Sequence, residues 1–172
     1  MNFSDKYILY DRHKLYRARD ENLFLVPEKL ITQRIGGGIN PLIVGYDDKQ
    51  FYTFNSTNSL IPKDGSKVSI KFICALLNSK LLNWYYRTQF SNNSTLTVNI
   101  SKTFLEQLPI NEANPETQQN IIHLFEEAFR IAGENKSYSE LQNEIDKQVY
   151  DLYDLNEEEI SMVEEQDNNG QQ

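Results

Sequence analysis

Arginine and amide side chains are the groups in this chain best suited to recognition chemistry. Arg34 closes an alternating segment just before Gly36-Gly37-Gly38; there a planar guanidinium can bond two acceptors at once, such as guanine O6 and N7. The plainer alternative is a surface arginine. Asn92-Asn93-Ser94-Thr95 is a polar, uncharged run whose amides and hydroxyls both donate and accept, and an asparagine can bond adenine N6 and N7 together; an ordinary polar turn has the same composition. Arg87 and Lys102 flank that run and suit phosphate clamps. Arg12, Lys14, Arg17 and Arg19 form a basic cluster interleaved with aromatic residues, a pattern that fits phosphate contacts or a solvated helix face. Lys29 follows Glu28 and is a further candidate cation, with pairing to Glu28 or to a neighbouring element as the structural alternative.

The overall charge opposes such a role and its distribution favours it. Net charge is −8, yet residues 1–110 hold fourteen Lys and Arg against nine Asp and Glu, net +5, while residues 111–172 hold three against sixteen, net −13. A polyanion partner needs cations that displace its counterions, and only the first part supplies them; the acidic part would repel phosphate. The lone cysteine, Cys74, sits inside an apolar run, cannot form an internal disulfide and reads as a small buried hydrophobe, which fits a reducing, cytoplasmic setting. The N-terminus lacks a basic-then-apolar leader and no apolar stretch nears the roughly 20 residues that span a bilayer, so no membrane partner is expected. His13 and His123 are too far from other ligands to suggest a metal site.

The elements that must position these residues follow from periodicity. Tyr7-Ile8-Leu9-Tyr10 reads as a strand and Asp11 to Asp20 as an exposed charged helix or loop. Lys29 to Ile35 alternates as a strand; Leu42 to Tyr46 and Phe51 to Phe54 continue it as an antiparallel meander, closed by Ser59-Leu60-Ile61-Pro62. From Ser69 to Arg87 the apolar residues recur at helical spacing and predict one long buried helix capped by Ser69 or Ser66. Trp84, Tyr85 and Tyr86 then belong to the core, with stacking on DNA as the lesser alternative, and Asn78 and Ser79 bond backbone groups or neighbouring helices inside the domain. A short strand precedes Ser101. Asn114-Pro115-Glu116 opens a helix that Gly133 ends; Ser137-Tyr138-Ser139-Glu140 offers a capping box for a second, and Asn156 starts a third. The expected fold is α+β: a small antiparallel meander sheet, one long buried helix and a C-terminal helical hairpin. Its organisation is a recognition domain over 1–110, an acidic helical segment over 111–163 packing on it or on a partner, and a disordered tail over 164–172.

Several local patterns in one order go further. Pro27-Glu28-Lys29-Leu30, Asn55-Ser56-Thr57-Asn58-Ser59-Leu60-Ile61-Pro62, Leu76-Leu77-Asn78-Ser79-Lys80-Leu81 and Leu105-Glu106-Gln107-Leu108-Pro109-Ile110 resemble the TaqI-like C-terminal specificity domain. The helical run Leu141 to Ile160 is similar to the ending of such proteins, so the resemblance extends over residues 7–160. It implies the target-recognition region of an N6-adenine DNA methyltransferase of a restriction-modification system. Such a region reads double-stranded DNA while a catalytic domain or subunit binds S-adenosylmethionine and flips out the adenine.

The chemistry of that partner has no counterpart here. The Asn/Asp-Pro-Pro-Tyr/Phe motif that holds a flipped adenine is missing; Asn40-Pro41-Leu42-Ile43 shares two letters with it. Gly36-Gly37-Gly38 has no helix behind it to present amides to a cofactor, and Glu28-Lys29 are adjacent where a nuclease motif separates them. The expectation is a non-catalytic specificity domain without a cofactor of its own, either part of a longer enzyme or a separate subunit. The competing class is a protein-interaction module, or an orphan specificity subunit that does not bind DNA. A self-sufficient nuclease or methylase is disfavoured by the missing motifs.

Overall fold

The structure, a computed structural model, describes residues 9–91 and 96–168, with side chains described to residue 165. The sheet is built around β1 (Lys29–Gln33), which pairs antiparallel with β3 (Val44–Asp47) on one side and β4 (Thr57–Leu60) on the other, in the order β3-β1-β4. Ile31 lies opposite Gly45 across one ladder and Ser59 across the other. A second pair joins β2 (Ile35–Gly36) to β5 (Val98–Asn99). The fold is α+β, as the periodicity predicts, but its sheet is no meander.

Side chains of the first helix pair explain the strand order. Asn78 accepts from the Val44 amide at 3.0 Å and donates to the Val44 carbonyl at 2.9 Å, so a carboxamide occupies the outer edge of β3 much as another strand would. Asn83 accepts from the Leu42 amide at 2.7 Å. Residues 51–54, expected to pair there, are irregular: the Asp47 carboxylate gathers the amides of Lys49 and Phe51 at 2.8 and 2.9 Å, and the chain turns away to add β4 to the far edge of β1.

The long helix is two helices. α1 (Ile70–Asn78) starts at Ser69, whose hydroxyl accepts from the Lys71 amide, and α2 (Lys80–Phe90) follows a single extended residue, Ser79, with ψ 153°. The Ser79 hydroxyl donates to the Leu76 carbonyl at 2.7 Å and accepts from the Leu82 amide at 3.3 Å, so one buried side chain ends one helix and caps the next. The apolar period continues through the break, because Leu76, Leu77, Leu81 and Leu82 are all buried. Cys74 is buried with them and its thiol is pushed up to about 12 by that burial, which leaves it an unreactive core group.

Short α3 (Lys102–Leu105) precedes the C-terminal helices α4 (Pro115–Gly133), α5 (Ser139–Leu152) and α6 (Glu157–Asn168). α4 and α5 form the expected hairpin; α4 packs on α1, and α5 and α6 pack on α2. Their buried residues, Ile121, Ile145, Val149, Tyr150 and Val163, join the same core as Leu30 and Leu76. Asn114 caps α4 by accepting from the Thr117 amide at 2.9 Å. Asn156 and Glu159 cap α6 reciprocally, the arrangement expected of a capping box. No such box forms at Ser137, since α5 begins after Tyr138 without a side-chain cap. Residues 164–168, expected as a tail, continue α6, where Glu164 accepts from the Tyr150 hydroxyl at 3.2 Å and pairs with Lys80 at 3.3 Å. Among the described residues no helix is long and apolar enough to cross a membrane.

Candidate nucleic-acid interface

At Arg34 the chain leaves the three-stranded sheet and enters the two-stranded one. Its backbone is held on both sides: the amide donates to the Ser56 carbonyl at 2.9 Å and the carbonyl accepts from the Ile100 amide at 2.8 Å. The side chain is exposed, with Nη1 resting 3.4 Å from the Asn55 carbonyl. Around this corner lies a shallow groove of about 520 Å³ lined by Gln33, Arg34, Ile35, Asn55, Ser56, Thr57 and Asn99. None of these described residues is acidic, and three carry carboxamides. A guanidinium on a fixed backbone, flanked by amides that donate and accept, matches the donor and acceptor patterns of base edges.

The segment before β1 reaches the same groove. Asn55 Nδ2 donates to the Arg17 carbonyl at 3.3 Å, and Arg19 Nη1 lies 3.3 Å from both Thr53 Oγ1 and Ser59 Oγ, and 3.5 Å from the Thr57 carbonyl. Tyr10 closes the segment by donating from its hydroxyl to the Arg19 carbonyl, and its ring packs on Phe24 and Tyr52. Leu9 and Tyr10 are not in a strand, and residues 11–20 take the loop alternative, with turns between Arg12 and Arg17; residues 7 and 8 of the expected strand lie outside the described residues. Arg17, at φ 54°, is exposed with its guanidinium 5.0 Å from the Tyr16 ring centroid. Arg12 is exposed beside Asp11, Asp20 and Glu21 in a separate shallow groove, and Lys14 pairs with Asp11 at 3.4 Å.

Two of the expected DNA-contacting cations are interior. Lys29 is fully buried; its ammonium pairs with Asp47 at 2.5 Å and donates to the Phe24 carbonyl at 3.0 Å. It therefore holds β1 to β3 and the preceding turn and cannot meet a phosphate. Its partner is Asp47 and not the adjacent Glu28, which accepts from the Tyr46 hydroxyl. Arg87 is 4% exposed and donates to the Ile39 carbonyl at 3.0 Å, so it supports the chain after the glycines from beneath. Gly36 in that stretch is a packing requirement: a Cβ there would lie 2.6 Å from the Pro41 carbonyl oxygen and 2.9 Å from Ile100 Cδ1.

Lys102 is exposed and pairs with Glu106 at 3.5 Å. It lies two residues beyond Ile100, whose amide bonds Arg34 and whose carbonyl accepts from Asn58 at 2.7 Å, and three beyond the groove residue Asn99. Asn92, Asn93, Ser94 and Thr95 lie outside the described residues. Of the lining residues the sequence reading selects only Arg34; the three carboxamides, Gln33, Asn55 and Asn99, are among those it does not. Asn55 opens the family-like segment Asn55 to Pro62 and Gln33 adjoins Arg34, whereas nothing local in the sequence marks Asn99. Tyr86 fixes Asn99 by donating from its buried hydroxyl to the Asn99 carbonyl at 2.8 Å; burial pushes that hydroxyl up to about 12. Trp84 and Tyr85 pack against the core as expected, and Asn78 and Ser79 bond backbone groups.

The model of the TaqI-like C-terminal specificity domain matches residues 1–110. The chain belongs to that family. Every residue lining the groove falls within the matched span of this specificity domain, as do Arg17, Arg19 and Lys102, while α4 to α6 lie beyond it. No curated protein matches the chain.

Proposed function

We propose that this specificity domain reads a short sequence in the major groove of duplex DNA and thereby positions a separate catalytic domain or subunit on its target. The catalytic partner in this reading is an N6-adenine methyltransferase that binds S-adenosylmethionine, with or without an associated nuclease. This chain contributes recognition and no bond-making chemistry. The observation that carries the reading is the corner at Arg34: an exposed guanidinium on a doubly anchored backbone, set among carboxamides in a groove without carboxylates. Arg34 to guanine and Gln33, Asn55 or Asn99 to adenine are the pairings such side chains favour. Arg17 and Lys102 flank the groove for phosphate contacts, and Arg19 fixes the segment that carries Arg17. The acidic helices α4 to α6 stay off the phosphates and brace α1 and α2 from behind.

The test is equilibrium binding of the full chain to randomised duplexes over a range of salt, with selection and sequencing of the bound fraction. A DNA reader gives log K falling linearly with log salt and retains a sequence preference. Binding that neither responds to salt nor prefers a sequence overturns this reading in favour of a protein-interaction module.

A further inference from the structure

Ile35 is the one apolar side chain among the described residues that line the groove, and it is 64% exposed. It lies beside Arg34 on β2, with its backbone paired to Asn99. Packing does not explain it, because Ile35 is no part of the buried core and the other residues of the lining carry polar or charged side chains. A lone exposed isoleucine needs no explanation on most surfaces. Beside a guanidinium and carboxamides suited to base edges it has a specific counterpart: the major groove presents donors, acceptors and one apolar feature, the methyl group at C5 of a pyrimidine.

We propose that Ile35 reads a pyrimidine C5-methyl at or next to the base pair contacted by Arg34. The proposal rests on the DNA-recognition reading above and assigns part of its specificity. Arg34 and Ile35 line the same groove, so the base pair that Ile35 meets is the one Arg34 contacts or a neighbour of it. The methyl belongs to thymine or to a methylated cytosine, and both present the same apolar surface.

The experiment begins with the duplex selected by the full chain. Thymine is replaced by uracil, and separately cytosine by 5-methylcytosine, at each position in turn, and affinities are measured for the wild type, Ile35→Val and Ile35→Ala. The expected result is a loss of about four-fold for uracil, or a gain of about four-fold for 5-methylcytosine, confined to one position; that is the worth of one buried methyl group. The effect should persist in Ile35→Val and vanish in Ile35→Ala. A uracil penalty identifies thymine as the source, and a 5-methylcytosine gain identifies the methylated cytosine. Sequence-selective binding with no methyl effect at any position overturns the role of Ile35 and leaves DNA recognition standing. So does a methyl effect that survives in Ile35→Ala. Absence of any selective binding overturns both readings together.

Discussion

Strand β1 has a cation at its start and another just past its end, and the two have opposite fates. Lys29 is fully buried on Asp47 and the Phe24 carbonyl, while Arg34 stands exposed at the corner where one sheet hands over to the other. The same contrast recurs between Arg87, donating upward to Ile39 from inside the fold, and Lys102, exposed on its surface. Side-chain charge is therefore no guide to which cations reach a ligand; what matters is whether the fold supplies a buried acceptor. Where it does, the cation is spent inside the fold, and where it does not, the cation stays at the surface.

The sharpest way to break this comparison is at Asp47. Replacing it by Ala leaves the Lys29 ammonium buried without its counter-ion and should cost about 3–5 kcal/mol, seen as a lower midpoint in denaturant unfolding. The double variant Lys29→Met with Asp47→Asn removes both charges and keeps a carbonyl for one of the Lys49 and Phe51 amides, which bond different oxygens of Asp47, so part of that loss should be recovered. A D47A variant as stable as the parent would show that Lys29 is not committed to the interior.

Arg87→Met should follow, at about 1.5–3 kcal/mol of stability, because a buried carbonyl loses a charged donor. Whatever DNA affinity the folded protein retains should keep its salt slope, since this guanidinium meets no phosphate. Arg34→Ala should do the reverse. Its unfolding midpoint should stay close to that of the parent, as expected of an exposed side chain, while binding to the selected duplex weakens by about 1–3 kcal/mol and discrimination relaxes at one base pair. Arg34→Lys should recover little of that discrimination, because an ammonium lacks the planar fork. If R34A weakens all sequences equally, Arg34 is a phosphate contact and the groove is not where bases are read.

The two ends of β1 look alike in the sequence, and so do the residues that separate core from site. Alternation exposed β1 and most of β3, and local capping chemistry exposed the starts of α1, α4 and α6. Those signals lie within a few residues of what they specify. The break at Ser79 was hidden because the leucines keep their helical period across it, and only the extended backbone and double cap of one buried serine separate the helices. The strand order was hidden for a different reason: Asn78 and Asn83 complete the edge near β3 from helices more than thirty residues away. The groove inherits both difficulties. Arg34 could be picked out by its place at the end of an alternating run, but Asn55 and Asn99 come beside it only through pairings across the β1-β4 and β2-β5 ladders.

Lys102 tests the comparison at its weakest point. Its ion pair with Glu106 joins two well-exposed side chains one helical turn apart, a geometry worth little in water because solvent and salt screen it. Lys102→Ala should leave the unfolding midpoint unchanged. If Lys102 faces a phosphate on the β5 side of the groove, affinity should fall by a similar factor for every sequence, and the slope of log K against log salt should become shallower by about one. Lys102→Glu should exaggerate the affinity loss without altering the preferred sequence. A change of preference in either variant would move Lys102 from the groove's flank to its reading face, and exposure would then separate cations that bind from cations that build without separating bases from phosphates.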